Sequence, residues 1–337
     1  MATVKDIARL AGVSPTTVSW ALNGKRVSEE SLRRVLEAAQ ALNYHPKLSA
    51  RSLRAGKVFS IGFYIVNPSL DPRLNGYLFP MLAGISKVLA HDGYSMQFDI
   101  ITPSTVDALT KKALEHSVDG MLVLPQFSGV TEQLMEDLPK DFPVVFMQSD
   151  PAAKTPHCVA IDQIKGADLA IRYLYAQGHR DIGMITGPVE HVDNVLRMRS
   201  AYQTMQDLHL VWERAWVQQG EFDIESGYIG MKHILAAAKK PSAVFCFNDY
   251  MAIGALRAAS HVGLRVPQDI SILGFDDTDV AEASSPALTT IQQPVFDQGQ
   301  RAANLLMRMI KQEEVTAQVE WISPMVVERA SVERVGS

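Results

Sequence analysis

Val13-Ser14-Pro15-Thr16-Thr17-Val18-Ser19-Trp20-Ala21-Leu22-Asn23-Gly24 reads as one short helix with both ends marked. Ser14 can accept a hydrogen bond from an orphan amide, and Pro15 is pre-set for the first helical position. Asn23-Gly24 closes it, because glycine takes the left-handed conformation at little cost. Val18 and Leu22, four apart, share a face that must be buried. Thr16, Thr17, Ser19 and Trp20 are left outside, where small hydroxyls beside an aromatic ring suit contacts to phosphates and base edges.

The flanking sequence turns this helix into half of a motif. Thr3-Val4-Lys5-Asp6 opens an earlier helix with an acidic residue three places after its cap. Ile7, Ala8, Leu10 and Ala11 supply its apolar side, and Gly12 allows a tight turn into the Ser14 helix. Two short helices around a glycine-containing turn are the helix-turn-helix signature, the second being the reader. Ser28-Glu29-Glu30 starts a third helix whose period is held by Leu32, Val35, Leu36, Ala39 and Leu42. Charge agrees: residues 1–57 hold ten basic and four acidic side chains, a net of +6 in a chain of net −5. A basic head on an acidic body is the footprint of a polyanion-binding module carried by a different domain.

Pro46 breaks the third helix, and Lys47–Ala55 then offers about two helical turns, too short to persist alone in water. Over Thr3–Lys57 the pieces V-K-D-I-A-R-L-A-G-V-S, T-V-S-x-A-L-N, L-N-Y-H-P and A-R-S-L-R stand in order. In that order and spacing this stretch resembles the DNA-binding head and hinge of lactose-repressor (LacI/GalR) family transcription regulators. The resemblance implies a hinge helix that forms on the operator, with Leu53 as a minor-groove wedge between Arg51 and Arg54. The residues expected to meet DNA are Thr3, Ser14, Pro15, Thr16, Thr17, Ser19, Trp20, Asn23, Lys25, Arg26, Tyr44, Arg51, Leu53 and Arg54. Trp20 departs from the polar reader that the family usually carries. An indole has one N–H donor and cannot grip guanine bidentately, so an operator sequence does not carry over.

At 337 residues the chain is long enough for two or three domains with ample core. Its hydrophobic content of 47% and charged content of 20% are those of an ordinary globular protein. Cys158 and Cys246 lie far apart amid apolar neighbours, which suits reduced thiols rather than a disulfide or a zinc site. No apolar run approaches a membrane span and no secretory signal opens the chain, so the expected compartment is the cytoplasm.

After Lys57 apolar runs alternate with amphipathic helices. Candidate strands are Phe59–Val66, Ser95–Ile101, Gly120–Leu124, Val144–Met147, Val159–Ile161, Ile182–Thr186, Ala243–Phe247, Ile270–Phe275 and Thr289–Ile291. Candidate helices are Leu78–Asp92, Val106–His116, Ile164–Gln177, Leu196–Leu208, Glu225–Ala238 and Tyr250–His261. Near-continuous apolar strands between helices argue for parallel sheets covered on both faces, and the length suits two α/β lobes. The body resembles the effector domain of the same family, which shares the fold of type I periplasmic sugar-binding proteins. Matching pieces include V-D-G-M-L-V-L (118–124), F-N-D-Y-M-A-I-G-A-L (247–256) and G-L-R-V-P-Q-D-I-S-I-L-G-F-D-D (263–277). The expected fold class is thus an all-α helix-turn-helix head (1–46), a hinge (47–57), and a two-lobe α/β effector and dimerisation domain (58–337). The resemblance implies three crossings between lobes, placed at about 58–160 with 291–320 for the first and about 161–290 with 321–337 for the second. The family's tetramerisation helix would need an apolar heptad after residue 330. The chain reads S-V-E-R-V-G-S there, so a homodimer is expected.

In parallel α/β sheets ligands sit beyond the carboxyl ends of the strands. Asn248-Asp249 and Asp276-Asp277 fall there, either capping the next helix or facing a ligand, and spacing alone does not choose. The resemblance assigns ligand contact to Asp276 and capping to Asp249. Gln293 matches a family effector position, and Gln148 stands where relatives often carry Asp, its amide able both to donate and to accept. Relatives hold ligand oxygens with an arginine four residues before an aromatic; here Met198 stands four before Tyr202, with Arg197 and Arg199 on either side. The candidate effector residues are Gln148, Arg197, Arg199, Asn248, Asp276 and Gln293, for a carbohydrate or related small molecule.

No G-x-G-x-x-G, P-loop, G-x-S-x-G elbow or metal-spaced His/Cys cluster occurs, so neither catalysis, a cofactor nor a metal is expected. A periplasmic binding protein has no use for residues 1–57, and an architectural DNA binder none for a ligand cleft. A repressor controlled by a small-molecule effector and acting on a pseudo-palindromic double-stranded operator uses every part.

Overall fold

The structure, a computed structural model, describes residues 2–22, 26–44, 56–67, 75–148, 150 and 155–335. Asn23, Lys25 and the expected hinge residues Arg51, Leu53 and Arg54 lie outside the described residues. Contacts divide the chain into two units, Met1–Val58 and Phe59–Ser337.

In the first unit α1 (Val4–Ala11), α2 (Pro15–Leu22) and α3 (Glu29–Ala41) enclose Ile7, Ala8, Ala11, Val18, Ala21, Val35, Ala38 and Ala39. Thr3 and Asp6 cap α1 reciprocally, the Thr3 amide donating to the Asp6 carboxylate at 2.9 Å. The Thr17 amide donates to Ser14 Oγ at 3.0 Å, the capping role its sequence predicts for Ser14. The core is mostly alanine, so the helices approach closely and larger side chains do not fit between them. Leu10, Leu32 and Leu36, expected on the buried faces, are exposed, the inward positions being taken by Ile7 with Ala11 and by Val35 with Ala38 and Ala39. Leu22 is only partly buried; Ala21 takes the place beside Val18.

The second unit holds two six-stranded sheets. The first consists of β1 (Ser60–Val66), β2 (Ser95–Ile101), β3 (Met121–Pro125), β4 (Val144–Phe146), β5 (Cys158–Ile161) and β11 (Val319–Ile322), all parallel, in the order β11-β5-β4-β3-β1-β2. One face is covered by α4 (Asn75–Asp92) and α12 (Val295–Ile310), through Met81, Ile85, Ala302 and Leu306. The other is covered by α5 (Asp107–Leu114) and α6 (Val130–Asp137), through Leu109, Ala113, Val130 and Leu134. Helices α4 and α12 meet backbone to backbone. A Cβ on Gly84 would lie 2.2 Å from the Phe296 carbonyl oxygen, and one on Gly299 2.4 Å from that of Met81.

The second sheet consists of β6 (Ile182–Thr186), β7 (Val217–Gln219), β8 (Ala243–Cys246), β9 (Ser271–Asp276), β10 (Thr289–Gln292) and β12 (Met325–Val327), in the order β12-β10-β9-β8-β6-β7. Its helices are α7 (Gln163–Ala176) packed on α8 (Val192–Asp207), α9 (Ile224–Leu235) packed on α10 (Asp249–His261), and the short α11 (Asp279–Ala283). Strand β12 runs antiparallel to β10, an exception to the expected all-parallel pairing.

The chain crosses between the lobes after β5, after β10 and after β11. Two expected boundaries shift. β10 continues to Gln292 in the second sheet, so the second crossing follows 292 rather than 290. Val319–Ile322 pairs with β5, so the return comes after 322 rather than 320. Cys158 and Cys246 are buried free thiols, and burial pushes both well above the ordinary thiol range. Among the described residues no helix is long and apolar enough to cross a membrane.

Candidate effector cleft and DNA-reading helix

The carboxyl ends of both sheets face one cleft. β4 delivers Gln148, β5 leads into Gln163, β8 into Asn248, and β9 ends on Asp276. Asp276 and Asp277 both hold positive φ, 119° and 60°, a cost that non-glycine residues carry where a functional site fixes them.

Four side chains form a continuous hydrogen-bonded line across the crossings. Gln293 Nε2 donates to Asp276 Oδ1 at 2.6 Å, Gln163 Nε2 to Gln293 Oε1 at 2.7 Å, and Arg197 Nε to Gln163 Oε1 at 2.9 Å. Arg197, 2% exposed, also donates to the Phe247 carbonyl and lies flat over the Phe275 ring at 3.8 Å. Its Nη2 is 3.6 Å from Asp193 Oδ2 and 4.0 Å from Asp276 Oδ1. Gln148 reaches over from the first lobe to hydrogen-bond Asp193. Behind them Asp249 accepts from the Thr278 amide at 2.7 Å and from the Thr290 hydroxyl at 2.6 Å.

Burial sets the electrostatics. It pushes the Asp276 carboxyl up to about 8, with Asp249 and Asp193 pushing the same way against Arg197 and Gln293. Asp249 is pushed up to about 6, again by burial first, while the Thr290 and Thr278 hydrogen bonds pull it down. The Tyr77 hydroxyl rises well above its ordinary range through burial and the nearby Asp193 and Asp276. His191 falls to about 4 on burial, so it stands neutral at physiological pH. Its Nδ1 accepts from the Asp193 amide at 3.3 Å. The His191 ring meets Phe222 edge-on at 5.0 Å and Phe127 at 5.9 Å. The cleft therefore joins hydrogen-bonding groups to an aromatic wall. Two cavities are walled by both lobes: one of about 280 Å³ between Tyr77 and Asp276, and one of about 320 Å³ between Gln148 and Val192. Their volumes stand at the lower end of the range of small-molecule sites.

The six sequence candidates divide. Gln148, Arg197, Asp276 and Gln293 come together in the cleft. Asn248 is buried beside it but occupied: its oxygen accepts from the Met251 amide at 2.8 Å as a helix cap, and its amide donates to the Phe222 carbonyl at 2.9 Å. Arg199 stands apart from that line: it is 49% exposed and reaches Asp150, on the wall of the second cavity, at 3.3 Å. Met198 packs against the core of the second lobe. Asp249, expected to cap α10, instead ties the turn after β9 to β10, and Asn248 does the capping. The sequence reading passed over Gln163, Asp193, Tyr77 and Phe222. The i,i+4 spacing of Asp193 and Arg197 was the available signal, but it is that of any surface helix pair.

In the head unit, Trp20 is 47% exposed on α2, with Thr16, Ser14, Pro15 and Arg26 also exposed and Thr17 and Ser19 half-buried. Thr3 is exposed but engaged in the α1 cap. Tyr44 packs against the head core.

Residues 3–47 match the family described as bacterial regulatory proteins, lacI family, and residues 171–332 match a periplasmic binding protein-like domain. The HTH-type transcriptional repressor PurR of Klebsiella pneumoniae (strain 342) is 36% identical over 338 residues, covering 98% of this chain and 97% of the relative. The protein of that name from Photorhabdus laumondii subsp. laumondii is 38% identical over 343 residues, with the same coverage of 98% and 97%. The lac repressor dimer bound to operator and the anti-inducer ONPF superposes with a TM-score of 0.85 at 26% identity, covering 98% of this chain and 99% of that one. The transcriptional regulator CelR in complex with cellobiose superposes with a TM-score of 0.72 at 26% identity, covering 98% and 100%.

Proposed function

Because the chain belongs to the lacI family of bacterial regulatory proteins and is a DNA-binding transcriptional repressor, we propose that an uncharged, hydroxyl-rich effector controls its operator affinity from the interlobe cleft. The observation that carries this is the line Asp276–Gln293–Gln163–Arg197. It alternates donors and acceptors at the carboxyl ends of the strands, which suits paired sugar hydroxyls. The cellobiose bound by the similar regulator CelR supports a carbohydrate. A second reading, a planar heterocycle of nucleobase type, is favoured by the His191–Phe222 aromatic wall.

The active species is a cytoplasmic homodimer that sets two copies of α2 into successive major grooves of a pseudo-palindromic duplex. Thr16, Thr17, Ser19 and Trp20 read base edges, while Thr3, Ser14, Pro15, Asn23, Lys25, Arg26 and Tyr44 hold the backbone. Arg51, Leu53 and Arg54 supply the minor-groove contact at the centre. Effector between the lobes alters how the first lobes meet, and so whether the two Lys47–Ala55 segments engage DNA together.

A thermal-shift screen of sugars and nucleobases, followed by operator binding with each hit, tests this. We expect a neutral hit whose stabilisation is lost in Asp276→Asn and which changes operator affinity. A hit unaffected by that substitution, or no hit in either class, overturns the reading.

A further inference from the structure

We propose that Asp193 is a specificity-determining residue that makes the cleft reject anionic effectors, phosphorylated sugars and nucleotides included, in favour of neutral or amine-bearing ones. The proposal rests on the reading of the cleft as the effector site, but not on which effector occupies it.

The argument starts from the fate of the Arg197 guanidinium. A buried arginine in a ligand cleft would ordinarily be a ready clamp for a phosphate or carboxylate, with five donors in a fixed fork. Here the fork is already committed. Nε serves Gln163 at 2.9 Å, Nη1 serves the Phe247 carbonyl, and Nη2 faces Asp193 at 3.6 Å and Asp276 at 4.0 Å. The Phe275 ring closes one face of the plane at 3.8 Å. Two carboxyl groups thus share one cation. Even with Asp276 protonated, Asp193 alone balances the arginine; with Asp276 ionised the cluster is net negative.

Among the described residues, the cations flanking the cleft are already engaged and do not compensate an incoming anion. Arg329 pairs with Asp277 at 2.7 Å, Arg199 with Asp150 at 3.3 Å, and His191 is buried and neutral. An anion brought to Arg197 would meet Asp193 at close range in a water-poor site, where like-charge repulsion is strongest. A hydroxyl or ammonium group meets acceptors instead.

Asp193 stands in the first turn of α8, and its side chain also meets the amide of Gln148 from the first lobe. Its backbone amide is held separately, by His191.

Inorganic phosphate is the probe, titrated into the full-length protein at neutral pH and constant ionic strength, and the Arg197 Nε–H resonance is followed by NMR. Phosphate bound by the basic head leaves that resonance unmoved. We expect no saturable shift in the parent protein and a saturable one in Asp193→Asn, at least about tenfold tighter than any residual parent response. Asp193→Ser is the second variant, used if the first does not melt cooperatively. Saturable phosphate binding at Arg197 in the parent overturns the proposal, and so does its absence from a folded Asp193 variant. Either failure leaves the effector reading standing, because that reading is tested by neutral ligands and Asp276.

Discussion

Gly76, in the first turn of α4, abuts Thr278 of the opposite lobe so closely that a Cβ on the glycine would lie 2.8 Å from the threonine Cγ2. The same Cβ would lie 3.0 Å from the Tyr250 hydroxyl. This seam closes the cleft on the α4 side, as the pairing of Phe127 with His191 closes it on the α8 side. A methyl group at residue 76 would prop the seam open without entering either hydrophobic core. Gly76→Ala should therefore weaken effector binding by about tenfold, the size of a population shift of roughly 1.4 kcal/mol. Thermal stability without ligand should change little. Calorimetric titration with the screened effector, alongside small-angle scattering, checks this; unchanged affinity would show that the seam yields without cost.

The buried carboxyls predict a pH dependence of known sign. Burial raises the carboxyls of Asp276, to about 8, and Asp249, to about 6, above the ordinary carboxylate range. The folded protein thus keeps protons that the unfolded chain has already released, and stability falls as pH rises through that window. Asp276→Asn removes the larger contribution, so its melting temperature should decline less than the parent's between pH 5 and pH 8.5. Parallel melting curves for the two proteins would contradict the burial argument.

Trp20 stands on the outer face of α2 at 47% exposure. If its ring meets bases, Trp20→Ala should cost roughly 1–3 kcal/mol of discrimination between the selected operator and random duplex. Equal losses on both sequences would mean that it touches only the sugar-phosphate backbone. Fluorescence anisotropy at fixed salt separates the two outcomes, since the net +6 of residues 1–57 makes all binding salt-dependent.

Leu53→Ala should weaken operator binding and reduce DNA bending while leaving effector affinity measured off DNA unchanged. Gel-shift bending assays and titration calorimetry on the same preparation provide both readings. A loss of effector affinity would place Leu53 in the effector domain's stability rather than at the groove.

Much of the molecule is legible in its sequence. The head could be read because its signals are local: Thr3 with Asp6 and Ser14 with Thr17 are contacts three residues apart. β6 is bounded by a continuous apolar run, and β2 by the alternation of Met96, Phe98 and Ile100 with polar residues. β7, β11 and β12 escaped because they are short and largely polar or half-exposed, with no period to detect. Arg197 and Arg199 could not be separated by sequence. Two residues apart on a helix means about 200° of rotation, so one of them must face inward, but which one depends on how α8 sits on its sheet. Leu10, Leu32 and Leu36 misled for a related reason, since Ile7, Val35 and the alanines beside them take the inward positions.

The three crossings also bear on how the chain is made. The first sheet gains its last strand only at Val319–Ile322, and the helix covering it ends at Ile310. A ribosome has therefore extended the chain past residue 322 before the first lobe can close its core. The contacts of the head lie within Met1–Val58, all of which leaves the ribosome first. During synthesis a DNA-binding unit would exist well before the ligand-binding unit that governs it. Chains broken off after residue 294 would carry the first without the second, and such fragments should meet DNA only weakly, as single heads, with no response to effector.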